Sequence, residues 1–393
     1  MIKVLHITSD YEPNSLWGMG KSVYNLQRYF SRNSCFNIHI QIATVSKSGN
    51  VHSDIVTSKK EIDRKLLSSD RYSIFNNFNN FLKWNEHLAE EIIKIVPFVD
   101  IIHCHNWMSW LTSCRIQKHY GCKIVSSCHF LQKQYNSMIE NPILSCHKQI
   151  INIENKMLKH SDAIVVFTKI QKKFLIHKYN IRDTKKIYVI SHPINNPTIK
   201  NKGKHKKSNN ARHVSVVFVG RVTRDKGIES LVDVVKGLHK KYSTLTLKII
   251  GSNELGEAIS KQPNFIKLIG SVPNNQVFKM LLSGDIFCLP SISESFGMAV
   301  AEAMFCGLPI ITCSGNNNPM LFTNNKSGLY CPLIKKNNLY NVNKKCLYNK
   351  LDFLIRNPSI RKKMGKCAKQ EASAKYSVRK ILKKYSDLYK SLI

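Results

Sequence analysis

Asp285-Ile286-Phe287-Cys288-Leu289-Pro290-Ser291-Ile292-Ser293-Glu294-Ser295-Phe296-Gly297-Met298-Ala299-Val300-Ala301-Glu302 holds a strand, a polar turn and the start of a helix in one run. Four apolar residues, Ile286–Leu289, read as a strand covered on both faces. Pro290 and the serines end it. The helix that follows is small and apolar on its flanks (Met298, Ala299, Val300, Ala303, Met304, Phe305). Strand, turn and helix make the unit of an open α/β sheet, and such sheets hold ligands at the carboxyl ends of their strands. The helix start at Ser295, Phe296, Gly297 and Met298 offers unpaired N–H groups and partial positive charge, which suits a diphosphate. Glu294 sits in the turn. Glu302 lies about two helical turns further on. An ionised carboxylate in apolar surroundings needs hydrogen-bond donors, and sugar hydroxyls supply them.

Working outward, short β-branched runs predict strands at residues 3–8, 38–44, 100–105, 123–128, 163–167 and 187–191. A second series is predicted at 214–219, 245–250, 265–269, 286–289 and 309–312. Helix-length segments separate them, so the expected fold class is α/β, with two doubly wound parallel-sheet domains. The expected boundaries are 1–195 for the first domain, 196–213 for a Lys/Asn-rich linker and 214–370 for the second domain. A C-terminal helix is expected over 371–393, with Val378, Ile381, Leu382, Tyr385 and Leu388 on one stripe. Residues 46–85, polar and Ser/Asn-rich, read as a long connection with one or two helices.

A chain of 393 residues with 43% hydrophobic content suits two cores rather than one. No apolar run reaches the roughly 18 residues that span a bilayer. Met1-Ile2-Lys3-Val4-Leu5-His6-Ile7 begins directly in a strand pattern, so no signal peptide is expected. Twelve cysteines with no Cys-x-x-Cys pair favour reduced thiols in a cytoplasmic protein. On a strand, Cys104 points away from His103 and His105, so no metal site is read there. The net charge of +35 suits anionic membranes, nucleic acid or anionic substrates. No nucleic-acid recognition motif accompanies it. Solvated basic faces are the first reading, and attachment to the inner face of a membrane is the second.

Three further places carry chemistry. Gly220-Arg221-Val222-Thr223-Arg224-Asp225-Lys226-Gly227 follows the first strand of the second series. Gly220 lets the chain turn there, and Arg221 with Lys226 makes a diphosphate clamp. Gly18 and Gly20 lie between the first strand and a helix over 22–30, where glycine permits close approach to a phosphate. The loop is nearly a P-loop, but Ser15 stands at the first required glycine. His105 and His129 end two strands of the first series, at the carboxyl edge of that sheet, where both are read as residues that meet the substrate.

Together these residues resemble a retaining glycosyltransferase of the GT-B fold, specifically family 4. The resemblance covers nearly the whole chain in order. It runs through the glycine loop at 18–20, His-x-His-Asn-Trp at 103–107, Cys-His at 128–129, and Glu154 with Lys159-His160-Ser161-Asp162. It continues through the Gly-Arg…Lys-Gly loop at 220–227, Ile250-Gly251, and Glu294 with Glu302. It implies two Rossmann-like domains facing across a cleft, with the last helix crossing back to the first. It also assigns roles. Arg221 and Lys226 hold the diphosphate, Glu302 the ribose, and Glu294 the sugar hydroxyls. Ser295, Phe296, Gly297, Met298, Gly220 and Gly251 line the donor, Gly18 and Gly20 approach from the first domain, and His129 sits beside the reacting sugar. The chain departs from the family at Trp17, at Ser191-His192-Pro193 and at Pro319-Met320.

The implied activity is transfer of a hexose or N-acetylhexosamine from a nucleotide sugar, UDP first, to an acceptor hydroxyl with retention. No Asp-x-Asp occurs, so basic residues stand in for a metal, and neither a metal nor a cofactor is expected. A lipid-linked or cell-surface glycan is the first acceptor class and a small soluble hydroxylated compound the second. A sugar-nucleotide epimerase and a basic non-enzymatic module remain the other classes.

Overall fold

The computed structural model describes residues 1–11, 18–45, 55–58, 78–137, 145–194, 213–315, 321–336 and 339–393. The first sheet contains β1 (Ile2–Thr8), β2 (Ile38–Val45), β3 (Ile55–Ser58), β4 (Ile101–His105), β5 (Lys123–Ser127), β6 (Ala163–Val166) and β7 (Ile187–Val189). All are parallel, in the order β3-β2-β1-β4-β5-β6-β7. The second contains β8 (Ser215–Val219), β9 (Thr246–Ile250), β10 (Ile266–Gly270), β11 (Ile286–Leu289), β12 (Ile310–Ser314) and β13 (Gly328–Pro332). These too are parallel, in the order β10-β9-β8-β11-β12-β13. The α/β class with two doubly wound parallel sheets is therefore observed.

Five helices bear on the sites: α1 (Gly18–Ser31), α2 (Ser145–His160), α3 (Met298–Phe305), α4 (Pro358–Lys375) and α5 (Val378–Lys390). Two compact units result. The first ends at Pro193 and takes back Val378–Ile393; the second runs over Ile194–Ser377. The return to the first unit begins later than residue 371. Helix α4 passes that position unbroken, and Tyr376 stays with the second unit. Its hydroxyl donates to Leu321 O (2.7 Å), and its ring meets Phe296 edge-on.

Sheets covered on both faces need runs that are apolar throughout. β4 and β6 are buried at every residue, and β11 likewise. Helix α1 turns Met19, Val23, Leu26 and Phe30 inward at helical spacing. The expected strands match within a few residues at their ends. Strand β3 corrects the reading of 46–85 as a connection with helices alone: Ile55 pairs with Ile42 of β2. β13 was also unforeseen. The expected linker at 196–213, except His213, lies outside the described residues, as do Trp17 and Pro319-Met320. Strand order reverses between β1 and β4 and between β8 and β11, and an open α/β sheet forms its ligand crevice at that switch.

Candidate active site

In the second sheet, β8 runs into the basic loop and β11 into the glutamate turn, one on each side of the switch. Lys226 Nζ donates to Glu294 Oε1 (2.8 Å) and to Ser293 O (3.1 Å), and lies 3.5 Å from Asp225. Ser291 Oγ donates to the same Glu294 oxygen (3.0 Å). The Lys226 and Glu294 side chains are each 15% exposed. Burial alone lowers the affinity of the Lys226 ammonium for its proton; the Glu294 and Asp225 charges outweigh it and hold the pKa above the ordinary lysine value. For Asp225 burial raises the pKa, and Lys226, the Thr223 hydroxyl and Arg221 together outweigh that, leaving it lowered. Ile292 N–H donates to Asp225 O (2.7 Å), which ties the loop to the turn. Residues read separately as diphosphate and sugar ligands are thus a bonded pair. Arg221 Nη1 reaches Glu254 Oε2 at 3.2 Å on the partly exposed rim, and nothing in the sequence had singled out Glu254.

Backbone geometry explains two of the glycines. A Cβ on Gly251 would stand 1.9 Å from Gly220 O, so the ends of β8 and β9 meet only because residue 251 lacks one. Gly297 caps α3 at φ +86°, a left-handed conformation that other residues strain to adopt. Beyond it, Met298 begins the helix and Glu302 is 4% exposed within it. The Phe296 ring belongs to the core, so only its backbone is left for a ligand, while Ser295 and Met298 are partly exposed.

In the first sheet the switch is lined by histidine. His6 on β1 is in register with His103 on β4, and His105 is two residues on along the same face. All three are fully buried. His105 was expected to touch substrate; burial between His6 and His129 corrects this, because its Nε2 lies 2.9 Å from His6 Nδ1 and its Nδ1 2.8 Å from His129 Nε2. His129 itself is partly buried, and Asn106 Oδ1 fixes its backbone by accepting from the N–H of His129 (2.8 Å). Burial pushes His6 and His129 down to about 3 and His103, His105 and His192 well below the ordinary histidine value, so all five rings are neutral. His192 lies in the departure at 191–193. It stacks on Phe167 (3.7 Å) and its Nδ1 lies 2.6 Å from Ser22 Oγ of α1.

The ligand atoms of His6, His103 and His105 lie within 4.8 Å of one another, and no further His, Cys, Asp or Glu joins them among the described residues. Cys104 faces the other way, toward Asn106 O (3.3 Å). Gly20 N–H donates to Asp10 Oδ2 (2.8 Å), so a carboxylate already occupies that donor at the start of α1. The sequence hid His6 because its partners are remote in the chain, and Asp10 because Gly20, ten residues on, lies outside the periodicity of β1. Alternation along β1, which puts His6 on a buried face among apolar neighbours, was the one available signal.

Two family models match end to end: Glycosyltransferase Family 4 over residues 18–196 and Glycosyl transferases group 1 over residues 200–371. The chain belongs to the GT-B glycosyltransferases. An uncharacterized glycosyltransferase of Methanocaldococcus jannaschii is 23% identical over 331 residues, covering 79% of this chain and 81% of the relative. Sucrose-phosphate synthase from Thermosynechococcus elongatus superposes with a TM-score of 0.81 at 17% identity, over 100% of this chain and 99% of that one. Anabaena HepE, solved in complex with UDP and glucose, gives a TM-score of 0.70 at 14% identity over 100% of both chains. Such identities show the fold. No helix among the described residues of this glycosyltransferase is long and apolar enough to cross a membrane.

Proposed function

We propose that this glycosyltransferase moves a hexose or N-acetylhexosamine from a UDP-sugar to a hydroxyl of a lipid-linked or cell-surface glycan, with retention and without a divalent metal. One observation carries the reading: the Lys226–Glu294 pair beside Arg221 at the switch of the second sheet. As the sugar departs, negative charge grows on the β-phosphate oxygen. Arg221, Lys226 and the N–H groups at the start of α3 stabilise it as preorganised donors. The diphosphate competes with Glu294 for Lys226. As Lys226 turns to phosphate, the Glu294 carboxylate gains accepting capacity for sugar hydroxyls, so donor binding exchanges one partner for another at little net cost in charge. Glu302 takes the ribose hydroxyls and His129 a hydroxyl of the transferred sugar. The acceptor attacks from the face the phosphate leaves, and the phosphate takes its proton. The donor base is supported by HepE, solved with UDP and glucose. The membrane-associated acceptor is supported by the charge of +35.

The test is release of nucleoside diphosphate from UDP-, GDP- and ADP-sugars without acceptor, before and after EDTA. Wild type is expected to release UDP slowly and selectively, unchanged by EDTA. Lys226→Ala is expected to lose roughly 10²–10³-fold, the effect of removing one donor to developing charge, and Glu294→Ala a similar factor. No release and no thermal shift with any donor would overturn the reading.

A further inference from the structure

The first unit holds a file of buried hydrogen bonds that the proposed reaction leaves unexplained. Ser127 Oγ lies 2.7 Å from His103 Nε2, and His103 Nδ1 lies 2.6 Å from the Tyr389 hydroxyl on α5. That hydroxyl lies 3.3 Å from His6 Nε2. His6 Nδ1 is 2.9 Å from His105 Nε2, and His105 Nδ1 is 2.8 Å from His129 Nε2. Tyr389, His103, His6 and His105 have no exposed surface.

A neutral imidazole carries one N–H and one bare nitrogen, and a hydroxyl carries one proton. Each contact in the file needs one proton. With Tyr389 donating its proton inside the file, a fully bonded file has two arrangements, with every proton pointing toward His129 or every proton pointing toward Ser127. A third, in which the Tyr389 oxygen accepts from both His103 and His6, leaves the Tyr389 proton without a partner in the file. Any other order sets two lone pairs or two protons against each other in a dry interior, where an unmade hydrogen bond is costly. The spread between the two Tyr389 contacts, 2.6 and 3.3 Å, chooses between them and outweighs the short Ser127 contact of 2.7 Å, which taken alone would favour a hydroxyl donor. Bonds donated by a hydroxyl are shorter than those donated by N–H. Tyr389 has one proton to give, and its short contact is with His103, its long one with His6. Tyr389 thus donates to His103 Nδ1 and accepts from His6 Nε2–H. The order then propagates both ways. His103 Nε2–H donates to Ser127, His105 Nε2–H to His6 Nδ1, and His129 Nε2–H to His105 Nδ1. His129 is left with its Nδ1 bare.

We infer that Tyr389, acting through His6 and His105, is a positioning residue that holds His129 in its Nε2–H form, so that His129 offers Nδ1 as an acceptor to a substrate hydroxyl. The substrate clause rests on the role proposed above for His129; the proton order does not. The C-terminal helix thereby reaches the chemistry without touching substrate. A ligand group lacking a hydroxyl at that position leaves Nδ1 unpaired, which makes His129 selective for a hydroxyl over an ether or a deoxy carbon.

The experiment is ¹⁵N NMR of the full chain labelled at histidine, which separates protonated from bare ring nitrogens, with His129 assigned by difference against His129→Gln. Wild type is expected to show His129 protonated at Nε2 and bare at Nδ1. Tyr389→Phe is expected to convert the His129 signals to a mixture of both forms. The same variant is expected to lower kcat roughly tenfold, the worth of one hydrogen bond, with donor KM unchanged. A proton on His129 Nδ1 in wild type overturns the inference, as do unaltered His129 signals in a folded Tyr389→Phe chain. Stoichiometric zinc with loss of the ring N–H signals overturns it too, because the three clustered imidazoles would then be ligands. Tryptophan fluorescence reports folding; if Tyr389→Phe does not fold, Ser127→Ala at the other end carries the same expectation. The spectra need no substrate. Wild type with the expected spectra and no donor turnover would sink the transferase reading alone.

Discussion

At the scale of single residues, a motif that marks the family turns out to be packing as often as chemistry. Glu154 and Asp162 both belong to the resemblance. Asp162 Oδ2 accepts from Ile124 N–H (2.8 Å), which holds the start of β5. Glu154, fully buried on α2, accepts from Gln132 N–H (2.8 Å) and from the Tyr179 hydroxyl. Burial pushes its carboxyl up to about 7, above the 4.5 of a free glutamate. Between those values the folded chain keeps a proton that the unfolded chain has released. This residue therefore contributes less stability as pH rises from 4.5 to 7. Glu154→Gln removes the dependence. Its stability, followed as the melting temperature, is expected to gain on wild type across that window, by up to about 3 kcal/mol at the upper end. A constant difference between the two chains from pH 4.5 to 8 would refute this. The proposed donor clamp is the opposite case. Arg221, Lys226, Glu294 and Glu302 all drew a chemical reading from the sequence, because charged residues at the carboxyl ends of predicted strands have few structural uses. Their mutual bonding was not legible, since it depends on β8 and β11 being neighbours.

At the scale of elements, the central strands were readable, and of the four edge strands β7 and β10 were readable while β3 and β13 were not. Buried strands need mostly apolar runs; β8 from Val216 and β11 supply them unbroken, and β1 and β4 supply them interrupted by histidine. β3 and β13 lie at sheet edges, where short strands with polar or proline-containing sequences are tolerated. Gly328-Leu329-Tyr330-Cys331-Pro332 begins with a glycine and ends with a proline, so it reads as a turn until β12 is seen to pair with it. Helix α5 was predicted from its stripe, and the structure adds what the stripe covers. Ile381, Leu382, Tyr385, Leu388 and Tyr389 are all buried, and Tyr389 ends against the histidines. Leu388→Ala is expected to cost about 2–5 kcal/mol, as for other buried leucines. All four tryptophans fall within the first unit, so their fluorescence reads that unit alone. Urea unfolding should show an earlier fluorescence transition in the variant. An unchanged midpoint would mean that α5 adds nothing to the first unit.

At the scale of the whole molecule, the two units differ in how they answer acid. His6, His103, His105, His129 and His192 all belong to the first unit and are neutral when folded. An unfolded histidine takes up its proton near 6.5, whereas folded His6 and His129 wait until about 3. Across that window the unfolded chain binds more protons, so stability is lost as pH falls from 6.5. Each of these histidines costs up to about 1.4 kcal/mol per pH unit there, and five outweigh the opposing slope of Glu154. Fluorescence-detected melting is expected to fall steeply between pH 7 and pH 5. A flat profile would show that the rings are not held neutral.

The sequence by itself determined the two-sheet α/β architecture and the family, because burial on both faces of a parallel strand and the residues at strand ends are local properties of the chain. Only the tertiary structure decided that Lys226 bonds Glu294, that Asp10 occupies the start of α1, and that His6 and Tyr389 complete the histidine file. The first and the last depend on strand order and on where the last helix returns, and contacts between residues far apart in the chain leave no periodicity to read; the Asp10 contact spans ten residues between β1 and α1, outside the periodicity of either element.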